Sequence, residues 1–358
     1  MSEKETPVIV VVDDGHFNAK GILLSDSYEP VHYLMPTMVM KGHSTAQFGV
    51  DHATPVDFNT LDEDGNEVYY NVVEKMSFGM NGYLVDTGNE DFQTSEANRV
   101  LVHAMLHKMG LAGKKVILYA TSPMQRYFHL GGTLNEGYIN KRNENLMKPV
   151  QSKDGKSVEV ISTTQVPEGF ATYLSVLLKP NKNKKRMGVD ISVTQLDILI
   201  LDFGGQTLDV AVISNGQLVT NSSYTEEGMG MLKIYEHLTS YLSTYRKNIS
   251  RTEMAEIIET GIFYTDKKRK NKIDVSDQVQ KIIKDVLSTA MDKINSRTPT
   301  REFDRVLIAG GGVLTIEKEI KLYIDEAEMV SDPLYANALG SLFMAYSEVE
   351  SKSKKSAA

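Results

Sequence analysis

The sequence predicts an α/β protein of two related domains with a duplicated core. The chain has 358 residues, which is more than one hydrophobic core usually supports. Short apolar strands alternate with amphipathic helices along it. A strand–turn–strand pattern also occurs twice, about half the chain apart, and such internal similarity indicates duplication. Each copy is therefore expected to form its own domain.

The first copy begins with "VIVVVDD", an apolar run that ends in two carboxylates. Gly15 and a second short apolar run, "NAKGILL", follow, so the pattern predicts strand, tight turn, strand. A helix is expected from Ser95 to Met109, capped by Ser95 or Thr94. The segment "KKVILYATSP" predicts a strand that ends at Pro123, and "VPEGFATYLSVLL" predicts the beginning of a helix.

The second copy begins with "LDILILDFGGQTLDVAVI", again strand, turn and strand, closed by the hairpin signal Asn215-Gly216. A helix is expected through "MLKIYEHLTSYLSTY". A longer one is expected from Asp277 to Ile294, where apolar residues at helical spacing form one continuous face. The segment "RVLIAGGGVL" then predicts a strand, a glycine triplet and a helix.

Composition excludes several classes of function. The net charge of −8 disfavours a protein whose whole surface binds nucleic acid, and the absence of cysteine excludes disulfides, thiolate metal sites and cysteine nucleophiles. No apolar run reaches the roughly 20 residues of a membrane helix, and no signal peptide is evident. A cytoplasmic protein is expected.

The two strand–turn–strand patterns superpose residue by residue. When Asp13 is set over Asp202, Gly15 meets Gly204 and apolar strands flank both turns. Glycine turns expose backbone N–H groups, which suits phosphate oxygens. Carboxylates beside phosphate would repel it unless Mg²⁺ lay between them, and Lys20 would neutralise a phosphate directly. Two such turns across an interdomain cleft predict a metal–phosphate ligand and phosphoryl-transfer chemistry.

These motifs resemble the actin, sugar kinase and heat-shock chaperone superfamily, and most of all the bacterial ParM/StbA plasmid-segregation actins. "VVDDGHFNAK" is similar to that family's first phosphate loop, "LDFGGQTLD" to its second, and "VLIAGGG" to its adenosine motif. The resemblance implies an actin-like fold with ATP or ADP and Mg²⁺ in an interdomain cleft. It does not decide between ATP and GTP.

The resemblance also implies roles for individual residues. Asp13 and Asp202 match the aspartates that organise Mg²⁺, through water. His16 and Phe17 stand where small hydroxyl residues are usual, so only backbone contacts to phosphate are expected there. The residues implied to contact the nucleotide are Gly15, His16, Phe17, Asn18, Lys20, Gly204, Gly205, Gln206, Thr207, Gly228, Gly230, Gly310, Gly311 and Gly312.

The family's water-positioning residue begins the helix in "VPEGFATY", which indicates Glu168. The spacing departs by one residue from the usual pattern, so Gln165 is the alternative. A carboxylate at a helix N-terminus is stabilised by the helix dipole and would orient water toward the terminal phosphate.

The resemblance implies domain I over residues 1–176 plus 333–348, domain II over 177–332, and a disordered tail over 349–358. The implied function is a filament-forming ATPase. ATP binding drives self-assembly, hydrolysis drives disassembly, and an adaptor protein at a centromere-like site links the filament to plasmid or similar DNA. Neither direct nucleic-acid contact nor membrane contact is expected. A small-molecule kinase of the same superfamily and a non-polymerising nucleotide-binding scaffold are the alternatives.

Several residues with suggestive chemistry are expected to be structural. Asp14 is interpreted as a turn-forming or capping carboxylate. Asp209 is expected to support the second loop, with a site role left open. His103 and His107 are spaced as metal ligands on a helix, but no third ligand is evident, so they are expected in the core or on the surface. The basic run "KPNKNKKR" is interpreted as a solvated linker.

Overall fold

The structure is a computed structural model that describes residues 6–43, 56–73 and 84–356. The chain divides into two compact units. The first comprises Met1–Val193 and Asn337–Ala358, and the second comprises Thr194–Ala336.

In its described residues, the first unit contains a mixed five-stranded sheet, a four-stranded sheet and a two-stranded hairpin. Its strands are β1 (Val8–Asp14), β2 (Asn18–Leu24), β3 (Pro30–Pro36), β4 (Val39–Lys41), β5 (Val56–Leu61), β6 (Glu67–Val72), β7 (Lys115–Ser122), β8 (Gln151–Ser152), β9 (Glu159–Pro167), β10 (Leu178–Asn181) and β11 (Arg186–Val189). Its helices include α1 (Glu96–Lys108), α2 (Met124–Tyr127), α3 (Glu136–Met147) and α4 (Phe170–Leu177), with 3₁₀ turns at Phe92–Thr94, Lys182–Lys184 and Ile191–Val193.

The strand order β3-β2-β1-β7-β9 determines which residues meet. β1 is antiparallel to β2 and parallel to β7, and β7 is parallel to β9. Because parallel strands end at the same edge of a sheet, the carboxyl ends of β1, β7 and β9 lie together. Val10, Val11 and Val12 are fully buried, as expected for a strand covered on both faces.

The second unit repeats this arrangement. Its strands are β12 (Ile198–Phe203), β13 (Thr207–Ser214), β14 (Gln217–Leu218), β15 (Tyr224–Glu227), β16 (Ile262–Tyr264), β17 (Lys272–Asp274), β18 (Arg305–Ala309) and β19 (Glu328–Met329). Its helices are α5 (Met231–Leu242), α6 (Arg251–Thr260), α7 (Ser276–Arg297) and α8 (Val313–Ile320), with a 3₁₀ turn at Thr300–Glu302. β12 is antiparallel to β13 and parallel to β18, as β1 is to β2 and β7.

Helix α9 (Ala336–Ser356) returns the end of the chain to the first unit. A Cβ atom at Gly340 would lie 1.6 Å from the carbonyl oxygen of Ala171 on α4, so only glycine permits this close approach of the two helices. The hydroxyl of Tyr119 on β7 donates a hydrogen bond to Glu348 on α9 over 3.0 Å. The last helix is therefore joined to both α4 and the central sheet.

Two features of the first unit differ from the sequence prediction. The unit continues past residue 176 to Val193, because the basic run expected as a linker forms the β10–β11 hairpin. The backbone N–H of Met187 in this hairpin donates to Glu350 on α9 over 2.9 Å. Glu350 also accepts from the hydroxyl of Tyr28 over 2.7 Å. These bonds connect the hairpin and Tyr28 to α9. Residues 349–358 were predicted to be disordered, but α9 extends to Ser356. Residues 357 and 358 lie outside the described part of the chain.

Most predicted helices are confirmed. Ser95 caps α1, and its side chain accepts from the N–H of Asn98 over 3.3 Å. The apolar face predicted for the long helix forms the buried side of α7 with all its members: Val279, Ile282, Ile283, Val286, Leu287, Ala290, Met291 and Ile294. Among the residues that the structure describes, no helix is both long and apolar enough to span a membrane.

His103 lies in the core of the first unit, as expected. Its Nε2 is 3.0 Å from the carbonyl oxygen of Leu146, and burial lowers the pKa of His103 to about 4. His107 packs edge-on against Phe58, with ring centroids 5.3 Å apart. Within the described ranges, no group of three or more His, Cys, Asp or Glu residues is placed to hold a metal ion. The two histidines thus contact core groups, the Leu146 carbonyl oxygen and the Phe58 ring.

The first prediction concerns acid stability. His103 is neutral in the folded state and protonates below its ordinary pKa of 6.5 when unfolded. Since the unfolded state then binds the extra proton, stability should fall as the pH drops from 6.5 toward 4, by roughly 3 kcal/mol. His103→Gln should abolish this part of the pH dependence in urea unfolding curves. The same substitution at the exposed His237 is the control, and equal effects of the two variants would contradict the assignment.

Candidate functional site

Asp13, the residue before the last of β1, is a buried carboxylate with partners on β2 and β7. The strand register places it directly opposite Lys20 on β2, and the Nζ of Lys20 donates to its Oδ2 over 2.9 Å. The hydroxyl of Thr121, at the end of β7, donates to Oδ1 over 3.0 Å. A buried carboxylate needs such partners to satisfy its oxygens, and Lys20 and Thr121 supply one to each oxygen of Asp13.

The turn after β1 is braced from distant parts of the chain. The hydroxyl of Thr37 donates to the carbonyl oxygen of Gly15 over 2.6 Å, and the Nδ1 of His16 lies 2.5 Å from the carbonyl oxygen of Thr87. A Cβ atom at Gly15 would lie 3.4 Å from the Nζ of Lys20. The lysine ammonium group is therefore next to the turn backbone. Thr37 and Thr87 were missed because no local pattern marks a brace from so far along the chain.

Asp14 is a buried ion-pair partner, and its interpretation as a turn-forming or capping residue was wrong. Successive strand residues face opposite sides of a sheet, so Asp14 points away from Asp13. Its Oδ1 accepts from Arg142 on α3, and its Oδ2 accepts from the side-chain amide of Asn98 on α1. Burial alone would lower the pKa of Arg142, but the charge of Asp14 and the hydroxyl of Tyr138 raise it.

The end of β9 carries both candidates for the water-positioning residue. Gln165 is buried. Its Oε1 accepts from the hydroxyl of Ser122 over 3.0 Å, and its Nε2 donates to Oδ1 of Asn143 over 2.8 Å. Glu168 is half-buried and lies in the turn that follows Pro167. The backbone N–H of Glu168 donates to the carbonyl oxygen of Ser122 over 2.9 Å.

Glu168 precedes α4 rather than beginning it. The helix starts at Phe170, and its N-cap is Gly169 with φ of 73°. A residue in this left-handed conformation is needed between strand and helix, and glycine adopts it without strain. The strand end at Pro167 is confirmed. Glu168 was predicted to lie in the first turn of a helix and to be stabilised by the helix dipole, but it lies before the N-cap of α4. Its backbone is held by the hydrogen bond to Ser122.

In the second unit, Asp202 occupies the position equivalent to Asp13. It is buried near the end of β12, opposite Asp209 on β13. The N–H of Gly204 donates to the carbonyl oxygen of Thr207 over 3.0 Å and closes the tight turn. The hydroxyls of Thr207 and Thr225 donate to the two carboxylate oxygens of Asp209. Asp209 thus supports the loop, as expected.

The glycine triplet after β18 lies on this same turn. Gly310 has φ of 89°, and a Cβ atom there would lie 2.4 Å from Oδ1 of Asp202 and 2.3 Å from the carbonyl oxygen of Phe203. The N–H of Gly312 donates to that carbonyl over 3.1 Å. A side chain at Gly310 would therefore displace the Asp202 carboxylate.

The segment with Gly228 and Gly230 also joins this cluster. The N–H of Gly228 donates to the carbonyl oxygen of Gln206 over 3.1 Å. A Cβ atom at Gly230 would lie 2.4 Å from the carbonyl oxygen of Gly205. Three glycine segments, at residues 204–205, 228–230 and 310–312, therefore pack together around the carboxyl end of β12.

Each unit thus presents a buried aspartate beside a glycine turn, which fits a metal–phosphate ligand. Mg²⁺ usually keeps several waters and takes only one or two carboxylates together with substrate phosphates. Asp13 and Asp202 are the carboxylates that could serve in this way. Glycine at positions 230 and 310 is required by the close packing of these loops on the turn after β12.

Two family models match successive parts of the chain. Residues 8–179 match "Plasmid segregation protein ParM, N-terminal", and residues 200–322 match "Archaeal actin homologue MreB-like, C-terminal". The first half of the chain is therefore similar to ParM, and most of the second half is similar to an archaeal actin homologue. A comparison of this actin-like chain with curated protein sequences gives no match.

Solved actin-like structures match the chain over nearly its whole length. A 15-stranded ParM filament from Clostridium botulinum is 20% identical with a TM-score of 0.69, covering 95% of this chain and 99% of that one. The actin-like protein Alp7A is 15% identical with a TM-score of 0.73, covering 98% and 99%. A Bacillus thuringiensis ParM with ATP is 17% identical with a TM-score of 0.65, covering 97% and 100%. At these identities, the similarity establishes the actin-like fold.

The second prediction concerns the buried pair beside the first loop. Arg142→Met leaves the Asp14 carboxylate buried without its cation and should lower the free energy of unfolding by about 3–5 kcal/mol. Adding Asp14→Leu should recover part of this loss, because no buried charge then remains. Urea unfolding measures both effects. Lys115→Met, which removes the exposed pair with Glu159, is the control and should change little. A fully stable Arg142→Met variant would contradict the analysis.

Proposed function

We propose that this chain is an ATPase that assembles into filaments with ATP and disassembles after hydrolysis. The similarity of residues 8–179 to the ParM N-terminal model supports a role in moving plasmid or similar DNA, through an adaptor protein bound to that DNA. The main support for ATPase activity is the hairpin that occurs in both units. It places Asp13 in one unit and Asp202 in the other near the end of a buried strand, beside a glycine turn. The relatives with ATP and in filaments support the rest.

The glycine turns, Lys20 and the two aspartates would each bind the phosphates in a different way. Both glycine turns would contact phosphate oxygens through backbone N–H groups. Lys20 would neutralise one phosphate, since its ammonium group already lies beside the Gly15 turn. Asp13 and Asp202 would hold Mg²⁺ through water. When bound, this ion would neutralise the negative charge of the phosphates.

The contacts of Gln165 favour Glu168 as the water-positioning residue. Both polar ends of the Gln165 side chain are bonded within the first unit, to Ser122 and Asn143. Glu168 is more exposed and follows the strand end at which Asp13 and Thr121 also lie. We propose that its carboxylate orients the attacking water and accepts its proton.

The third prediction tests assembly. With Mg²⁺ and ATP the wild-type chain should sediment as polymer, and with ADP or without nucleotide it should remain in the supernatant. Asp202→Asn has nearly the same shape, so it should keep the fold and thermal stability while losing Mg²⁺-dependent hydrolysis. Nucleotide binding without sedimentation, together with transfer of phosphate to a small molecule, would identify a kinase instead.

The fourth prediction separates binding from hydrolysis. Glu168→Ala should bind ATP and assemble, but hydrolyse it on the order of 100-fold more slowly. Its filaments should persist after wild-type filaments have disassembled. Phosphate release measured together with light scattering checks both results.

Normal phosphate release and normal disassembly of Glu168→Ala would remove this residue from the site. In that case the Gln165→Ala variant should show the defect.

A further inference from the structure

Helix α3 contacts two strand ends of the candidate site through adjacent residues. Arg142 donates to Asp14 at the end of β1, and Asn143 accepts from Gln165 near the end of β9. α3 also packs along β9. One helix therefore spans the edge of the sheet from β1, across β7, to β9.

Each contacted residue is close to a group that the proposed ATPase uses. Asp14 follows Asp13 directly, and Gln165 precedes the turn that contains Glu168. Ser122 on β7 bonds to both residues at the β9 end, because its hydroxyl donates to Gln165 and its carbonyl oxygen accepts from the N–H of Glu168. Thr121, the neighbour of Ser122 on β7, donates to Asp13, so β7 connects the Glu168 turn to Asp13 across about two strand spacings, roughly 10 Å.

The two α3 contacts differ in physical character. Arg142 is fully buried and carries a charge, so removing it would destabilise the whole unit. Asn143 is half-buried, and its bond to Gln165 is between neutral groups. Leaving the neutral Nε2 of Gln165 without an acceptor costs less folding free energy than leaving a buried charge unpaired, so the effect of Asn143 on the site can be tested in a folded protein.

We infer that Asn143 is a positioning residue for ATP hydrolysis. Through Gln165 and Ser122 it fixes the turn that carries Glu168, without contacting the nucleotide itself. This inference rests on the proposed function and on Glu168 as the water-positioning residue. A residue of this kind affects the rate of the chemical step more than substrate binding, because only the geometry of the reacting groups changes.

The fifth prediction follows. Asn143→Leu removes the acceptor for Gln165 Nε2 and should lower kcat for ATP hydrolysis about fivefold to tenfold, while the Kd for the ATP analogue AMP-PNP with Mg²⁺ stays within about twofold. Asn143→Asp should restore most of the rate, because a carboxylate oxygen accepts the same hydrogen bond. Asn140→Leu makes the same substitution at an exposed position of α3 and should match the wild type.

Two results would overturn the inference. One is wild-type kcat in Asn143→Leu. The other is an equal loss in Asn140→Leu and Asn143→Leu, which would indicate a general effect on the helix. A wild-type chain that binds but does not hydrolyse ATP would instead refute the proposed ATPase, so the two failures are distinguishable. If Glu168→Ala were fully active while Asn143→Leu was slow, Asn143 would act on another group and the stated route would be wrong.

Discussion

The separate neutralisation of two adjacent buried carboxylates is the constraint on which the first unit depends. Asp13 and Asp14 would repel each other on one side of a strand, but strand geometry turns them to opposite faces. Asp13 then pairs with Lys20 on the neighbouring strand, whereas Asp14 pairs with Arg142 on α3. One carboxylate is therefore available at the candidate site, and the other anchors the helix layer behind it.

The second unit also contains two buried carboxylates, Asp202 and Asp209, but it satisfies them with different contacts. Asp202 has no adjacent carboxylate in the sequence, and it is packed against Gly310 and the turn of Phe203 and Gly204. The second carboxylate of this unit is Asp209, which lies across the hairpin from Asp202. It accepts hydrogen bonds from the hydroxyl groups of Thr207 and Thr225. The two hairpins thus share an aspartate and a glycine turn but differ in the contacts that support them.

Local patterns in the sequence accounted for much of the fold and for the motifs of the site. Periodicity predicted α1, α7 and the repeated hairpins, because burial of one face imposes a regular spacing on apolar residues. It did not predict the β10–β11 hairpin, since "KPNKNKKR" has no apolar pattern and the hairpin is bonded to Glu350 through Met187, which follows that run. The helical end of α9 was missed for the same reason.

The sequence by itself determined that the chain has two related halves, with an aspartate and a glycine turn at the end of a buried strand in each. These features depend on neighbouring residues, so they are visible in local patterns. Only the tertiary structure decided that Asp14 pairs with Arg142, and that Gln165 is bonded between Ser122 and Asn143. These partners are separated by up to 128 positions in the chain, and polar contacts over such distances follow from packing rather than from any local pattern.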